Sequence, residues 1–146
     1  MPVQAPYAFE DLAVGMSASL LRTVMESDVV AFAQVSGDDN PIHLSEAYAA
    51  ATPFGGRIAH GLFTASLISA LLGTRLPGPG AVYLAQTLRF LGPVRIGDVV
   101  EARVEVMHLQ PGRRRARLLC ECAVDARLVL EGEALVKMPS REELSR

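Results

Sequence analysis

The stretch that decides the fold is Gly61–Gly73, GLFTASLISALLG, in which the only polar side chains are Thr64, Ser66 and Ser69. As a helix, this stretch carries apolar residues on every face, so it has to be surrounded by protein. At 1.5 Å per residue it is about 20 Å long, which is too short to cross a membrane but sufficient to lie along a sheet. The sequence therefore predicts a buried central helix.

Nearly everything after this helix is typical of β-strands separated by turn residues. We expect these strands to form an antiparallel meander that curls around the helix, because this removes the helix from water and buries one face of every strand. The prediction is an α+β hot-dog fold in one domain that spans residues 1–146. The predicted strands are Ala81–Phe90, Val99–Leu109, Arg114–Val124 and Leu128–Lys137.

The residues before the central helix predict one strand and two short helices. The strand lies within Gly15–Val24, and the first helix spans Asp28–Ser36 and is ended by Gly37. Ser45 is placed to cap a second helix that continues through Ala51. The tail after Pro139 is expected to be a solvated end.

Composition excludes several classes of protein. Of 146 residues, 50% are hydrophobic and 21% are charged, which favours a folded globular chain over a disordered one. The net charge of −2 provides no basic field for a nucleic acid, and no apolar stretch reaches the length of a membrane span. The first residues show no secretory signal, so we expect a cytoplasmic protein. Cys120 and Cys122 lie two apart in a predicted strand, too close for an ordinary disulfide, and are expected to be reduced.

The segment Ser36–His43, SGDDNPIH, is dense in groups that handle protons. Pro41 interrupts any helix here and forces Asn40 into an extended conformation, which lets Asp38 and His43 converge. The Asn40 side chain can hold this turn by bonding the local backbone. The alternative is an ordinary turn followed by a structural histidine.

A second segment, Phe54–Gly61, reads FGGRIAHG and leads directly into the central helix. The first N–H groups of a helix lack intrahelical partners, so those at Gly61 can bind an oxyanion. The alternative is that Gly61 merely permits a tight entry into the helix. For His60 alone, simple packing is the favoured interpretation.

Together, SGDDNPIH, FGGRIAHG, ASLISALLG and YLAQTLRFLGPVRIGD resemble the MaoC-like (R)-specific enoyl-CoA hydratases, from about Ala31 to Met138. The resemblance implies that Asp38 and His43 are catalytic and that Gly61 donates to the oxyanion. A serine associated with the site in this family best matches Ser69, with Ser66 one turn earlier as the competitor. The alternative for either serine is a bond to a carbonyl of its own helix. Asp39 is interpreted as a solvated neighbour.

Hydration of a 2-enoyl thioester needs a water aimed at C3, a proton for C2 and stabilisation of the enolate charge on the thioester oxygen. Asp38 and His43 would hold the water between them, with the choice of base and acid left open. No metal or redox cofactor is required. An apolar slot for the acyl chain is expected from the central helix and from strand residues such as Val82, Leu84 and Leu88.

The densest positive cluster follows Pro111-Gly112 and is a candidate for binding the coenzyme A phosphates. A solvated hairpin is the favoured alternative for this cluster. The cluster consists of Arg113, Arg114, Arg115 and Arg117.

A homodimer is expected, because pairing two copies edge to edge would cover both the sheet edge and the incompletely covered helix. The nearest alternative function is a 3-hydroxyacyl-[acyl-carrier-protein] dehydratase, which uses the same Asp38 and His43 chemistry. A hot-dog acyl-CoA thioesterase and a non-catalytic acyl-binding subunit are less favoured. The thioesterase leaves the Asn-Pro-His turn unexplained, and the intact pair of Asp38 and His43 disfavours the subunit.

Overall fold

A computed structural model describes residues 7–146 of the chain. Residues 1–6 lie outside the described residues. They include part of the segment in which no secretory signal is expected. The helices are α1 (Glu26–Ser36), α2 (Pro41–Leu44), α3 (Glu46–Ala50), α4 (Gly61–Thr74) and α5 (Arg141–Leu144). The strands are β1 (Ser17–Thr23), β2 (Val82–Gln86), β3 (Arg89–Phe90), β4 (Val99–Gln110), β5 (Arg115–Val124) and β6 (Arg127–Lys137).

The strands form one antiparallel sheet in the order β1-β4-β5-β6-β2, with β3 also paired to β6. Alternate residues of β5 are buried, as the period of two in a strand requires when one face covers the core. Burial raises the pKa of the Cys120 thiol to about 11 and that of Cys122 to about 12, and both cysteines are free. The prediction of two reduced cysteines on one face is confirmed.

Helix α4 packs against β1, β4 and β5, which confirms the predicted central helix and the hot-dog fold. One side of the helix, which includes Leu67, Ile68 and Leu71, is buried in the core. The other side is not covered by this chain, since Leu62 is 59% exposed. This agrees with the expectation that a single chain covers the central helix incompletely.

The predicted strand Ala81–Phe90 is broken in the structure into β2 and β3. At the break, the carbonyl oxygen of Thr87 lies where a Cβ on Gly132 would be, only 1.8 Å from that position. Thr87 also accepts a hydrogen bond from the backbone N–H of Glu133 through its Oγ1, at 2.9 Å. The glycine in β6 therefore permits an irregular, close approach of the neighbouring strand.

Two segments predicted to be irregular contain short helices. Pro41, expected only to break a helix, occupies the first turn of α2, where its missing N–H costs no hydrogen bond. The tail expected to be a solvated end is exposed but forms α5, with Ser140 and Glu143 capping each other's backbone. Within residues 7–146, every helix is too short or too polar to span a bilayer.

Candidate active site

The segment that carries Asp38 is shaped by caps at both of its ends. Helix α1 ends at Gly37, which has a positive φ of 79°, a conformation that glycine adopts without strain. At the other end, Asn40 is extended and its Oδ1 accepts a hydrogen bond from Ile42 N–H at 3.1 Å, which caps α2. The predicted role of Asn40 in holding the turn is therefore observed. Asp38 lies between these caps and is exposed.

His43 sits on α2 and is buried, with 8% of its surface exposed. Its Nδ1 lies 2.7 Å from the carbonyl oxygen of Ile58, and its own carbonyl accepts a hydrogen bond from Arg57 Nε at 2.6 Å. Burial lowers the pKa of His43 from the usual value, and the neighbouring His60 adds to this effect. The bond to Ile58 and the charge of Asp38 oppose the shift.

Gly61 begins α4 and lines the same cavity as Asp38 and His43. A Cβ at this position would lie 2.6 Å from Cε1 of Phe90, so only glycine fits beneath that ring as it stands. The side chain of His60 precedes the helix without capping it, so the N–H groups of the first turn are not occupied by that side chain.

The cavity that these residues face has a volume of about 610 Å³. Three of its residues, Asp38, His43 and His60, present one ligand atom each, and these three atoms all lie within 4.8 Å of one another. The apolar wall includes Phe90, Leu91, Val94, Val129 and Leu130. The cavity thus combines a carboxylate and two imidazoles with a lining suited to an acyl chain.

The two imidazoles lie face to face, and each is fixed by a backbone carbonyl. The rings of His43 and His60 are stacked, with centroids 3.8 Å apart and planes inclined by 29°. One nitrogen of each ring is also engaged with a backbone carbonyl, of Ile58 for His43 and of Asp38 for His60.

The two serines lie outside this cavity. Ser66 and Ser69 line a second cavity of about 360 Å³, between α4 and β2. Ser66 Oγ donates to the carbonyl of Phe63 in its own helix at 2.5 Å, which is the alternative foreseen for it. Of the residues expected to form the acyl slot, Leu84 and Leu88 line this second cavity.

The arginine cluster lies at the connection between β4 and β5, away from the residues that line the first cavity. Arg114 pairs with Glu143 at 3.0 Å, and Arg117 pairs with Glu133 at 3.7 Å. The structure does not bring Arg113, Arg114 and Arg115 to the cavity of this chain. Arg127 lies closer, since its Nη1 would be 2.9 Å from a Cβ on the cavity residue Gly92.

Two residues that contact the pair of Asp38 and His43 were given no functional role from the sequence. Arg57 is largely buried, and besides bonding the His43 carbonyl it pairs with Glu26 at 2.9 Å. His60, expected only to pack, is 2% exposed and bonds the Asp38 carbonyl at 2.9 Å. The only signal for either residue was its presence in the segment FGGRIAHG.

Comparison with known proteins places the chain among relatives that share almost its full length. It is 66% identical to the 3-hydroxybutyryl-CoA dehydratase of Methylorubrum extorquens over 135 residues, which cover 92% of this chain and 86% of that protein. It is 52% identical to the (R)-specific enoyl-CoA hydratase of Rhodospirillum rubrum over 133 residues, or 91% of this chain and 92% of that protein.

Comparison of the fold with solved structures leads to similar relatives. The structure of an (R)-hydratase from A. caviae involved in PHA biosynthesis superposes with a TM-score of 0.87 at 44% identity, covering 89% of this chain and 99% of that one. The family model described as MaoC like domain matches residues 13–120. The chain therefore belongs to the MaoC-like domain family, as its two polar segments had indicated.

Proposed function

We propose that the protein catalyses the reversible (R)-specific hydration of trans-2-enoyl-CoA to (R)-3-hydroxyacyl-CoA. The observation that carries the proposal is the placement of Asp38, buried His43 and the start of α4 at Gly61 around one cavity. The two relatives at 66% and 52% identity are named as a hydroxyacyl-CoA dehydratase and an enoyl-CoA hydratase, which are opposite directions of one reaction.

The two proposed catalytic residues are close enough together to share a single water. The ligand atoms of Asp38 and His43 lie within 4.8 Å of each other, and a water about 2.8 Å from each atom can bridge that distance. This supports a reacting water held by both groups.

The contact between His43 and Ile58 supports His43 as the base. A carbonyl oxygen only accepts hydrogen bonds, so the hydrogen must be on Nδ1, and Nε2 is left with a free lone pair. Nε2 of His43 takes a proton from the water as the oxygen attacks C3, while the Asp38 carboxylate accepts a hydrogen bond from the other water hydrogen.

The N–H groups at the start of α4 would stabilise the enolate. As the C3–O bond forms, negative charge collects on the thioester oxygen, where the N–H of Gly61 and the positive end of the helix dipole favour it. The proton held by His43 is then delivered to C2. One O–H bond of water and the second bond of C2=C3 are broken, and a C3–O bond and a C2–H bond are formed. Because the same imidazole takes the proton and delivers it, both new bonds form on one face and the addition is syn.

A homodimer would cover the apolar surface that a single chain leaves exposed. Strand β2 is an edge strand, and neighbouring apolar side chains are exposed, among them Leu62 at 59%, Val82 at 55% and Phe90 at 54%. Unpaired edges with apolar surroundings are sites of association between chains. A second copy on this surface would also cover the open side of α4, and its presence is measurable as the mass in solution.

The deciding experiment follows hydration of a panel of enoyl-CoA thioesters, from crotonyl-CoA to longer chains, by loss of the conjugated thioester absorbance. Chiral analysis of the product tests the (R) configuration. The same acyl chains on acyl carrier protein test the alternative carrier, and release of free coenzyme A tests thioesterase activity. We expect hydration of the CoA substrates without hydrolysis. Failure to hydrate any CoA substrate of the panel would reject the proposed function. Activity on the acyl carrier protein substrates would then support the dehydratase, release of coenzyme A would support the thioesterase, and inactivity in all three assays would leave the non-catalytic acyl-binding subunit.

A further inference from the structure

The imidazole of His60 makes contacts that its position before α4 does not by itself require. His60 is the residue that precedes α4, a place where a side chain commonly caps the helix, yet its side chain does not do so. Instead the ring is almost entirely buried, at 2% exposure, and is turned toward residues distant in sequence. Burying an imidazole is costly unless its nitrogens are hydrogen-bonded. Among the residues that the structure describes, Nε2 of His60 has a partner and its buried Nδ1 has none, so the contacts that the ring does make indicate its role.

The first contact fixes the backbone of Asp38. His60 Nε2 lies 2.9 Å from the Asp38 carbonyl oxygen, and since the carbonyl can only accept, Nε2 is the donor. The other hydrogen bonds of the Asp38 segment are local, with Asp38 N–H donating to Ser36 Oγ at 3.1 Å and Asp38 Oδ1 accepting from Asn40 N–H at 3.3 Å. The bond from His60 therefore ties this exposed segment to the rigid start of α4.

The second contact fixes the ring of His43. The two imidazoles stack at 3.8 Å, and the His60 ring also contacts Phe32, with centroids 4.8 Å apart. His43 is otherwise oriented by its bond to the Ile58 carbonyl. A hydrogen bond at one edge still allows a ring to tilt about that bond, whereas a stacked neighbour restricts the tilt.

We infer that His60 is a positioning residue that sets the separation of Asp38 and His43, holding the first through Nε2 and the second through the face of its ring. The inference rests on the proposed function, because it assigns His60 a role in placing the two groups that hold the water. His60 does not itself need to exchange a proton with the substrate.

Two substitutions separate the contacts. His60→Phe keeps a flat ring for the stack and removes the donor to Asp38, whereas His60→Gln keeps an N–H donor and removes the ring. We expect each variant to lower kcat for crotonyl-CoA by roughly tenfold or more with KM changed less than about threefold, since placement of the reacting groups is lost while binding surface remains. Each rate is compared at the same fraction of folded protein.

Phe32→Leu is the matched control for packing. The Phe32 ring contacts the rings of His60 and Phe63. This variant should lower the midpoint of thermal unfolding while kcat stays within about twofold of the parent, because both contacts made by His60 with the proposed pair remain.

A readout independent of activity is the separation of the Asp38 carboxylate and the His43 ring in crystal structures of the variants. His60→Phe and His60→Gln each remove one of the two contacts and should change this separation, whereas Phe32→Leu should leave it as in the parent.

Two results decide the matter. If His60→Phe and His60→Gln reduce only thermal stability, with kcat and the separation of Asp38 and His43 as in the parent, the residue is structural and the inference is overturned. If the parent protein fails to hydrate crotonyl-CoA, the proposed function falls, while a changed separation of Asp38 and His43 in the same variants still supports positioning and an unchanged one still refutes it.

Discussion

The polar side chains at the start of α4 and in the middle of α4 differ in the hydrogen bonds that they make. At the start of the helix, His60 bonds the carbonyl of Asp38, a residue 22 positions away in sequence. In the middle of the helix, Ser66 bonds the carbonyl of Phe63, three positions away. Non-local bonds assemble polar groups from separate segments around one space, whereas a local bond occupies the hydroxyl within its own helix. Chemistry is therefore expected at the first cavity.

The second cavity supports this contrast. Its lining includes Ser66, Ser69, Tyr83 and Gln86, and the Tyr83 hydroxyl donates to Gln86. Burial raises the pKa of Tyr83 to about 12, so the phenol stays protonated at neutral pH and cannot serve as a base. The second cavity thus offers shape and apolar surface rather than a proton acceptor.

The largest effect should come from removing either proposed catalytic residue at the first cavity. Asp38→Ala and His43→Ala should each lower kcat for crotonyl-CoA hydration at least about a hundredfold, equivalent to about 2.7 kcal/mol in the barrier. Asp39→Ala, which removes the adjacent exposed carboxylate, is the control and should stay within about twofold. Near-normal rates in either of the first two variants would remove the proposed pair.

The next effect tests the start of α4. Gly61→Ala places a methyl group against Phe90, whose ring is 54% exposed and free to turn away, so the fold should persist. The displaced ring and the added methyl narrow the space beside the proposed oxyanion donor, and kcat should fall by roughly tenfold to a hundredfold. Kinetics and thermal unfolding measured on the same sample separate a loss of kcat from a loss of folded protein.

Adding Phe90→Leu to Gly61→Ala is the check on this cause. The smaller side chain removes the clash and should restore part of the lost rate. If the double variant is no faster than Gly61→Ala, the ring is not responsible and the methyl itself blocks the donor.

The pH profile of kcat/KM tests His43. Burial lowers the pKa of His43 below its usual value near 6.5, and a base must be unprotonated to act, so activity should persist below pH 6.5. Below the pKa of His43 the rate should fall by about tenfold per pH unit. His108→Gln, at an exposed histidine on β4, should leave the profile unchanged, and a fall that begins well above pH 6.5 would contradict the expected direction.

Much of this organisation is readable from the sequence because it depends on local rules. The all-apolar helix, the alternation in β4 and β5, and the caps that shape the segment from Gly37 to Asn40 each arise from neighbouring residues. The positive φ of both Asp125 and Ala126 at the β5–β6 turn likewise follows from hairpin geometry.

What the sequence could not provide depends on contacts between distant segments. The break between β2 and β3 arises because Gly132, in another strand, admits the Thr87 carbonyl. The role of His60 requires knowing that Asp38 and His43 lie beside it. The arginines after Gly112 form a cluster in sequence, but only the sheet register shows that they lie at the far connection of β4 and β5.

The smallest effects should come from the serines, and they test the contrast most directly. Ser66→Ala removes only a bond within α4, so kcat should change less than about threefold, and Ser69→Ala, at an exposed position in the second cavity, should change it less than about tenfold. The kcat of both serine variants is measured with crotonyl-CoA and compared with that of Gly61→Ala. We expect Gly61→Ala to lose more kcat than either serine variant. If Ser69→Ala instead matches the loss in Asp38→Ala, the second cavity takes part in the reaction. Because its serines face the uncovered side of α4, that result would mean that a second copy of the chain joins the two cavities into one site.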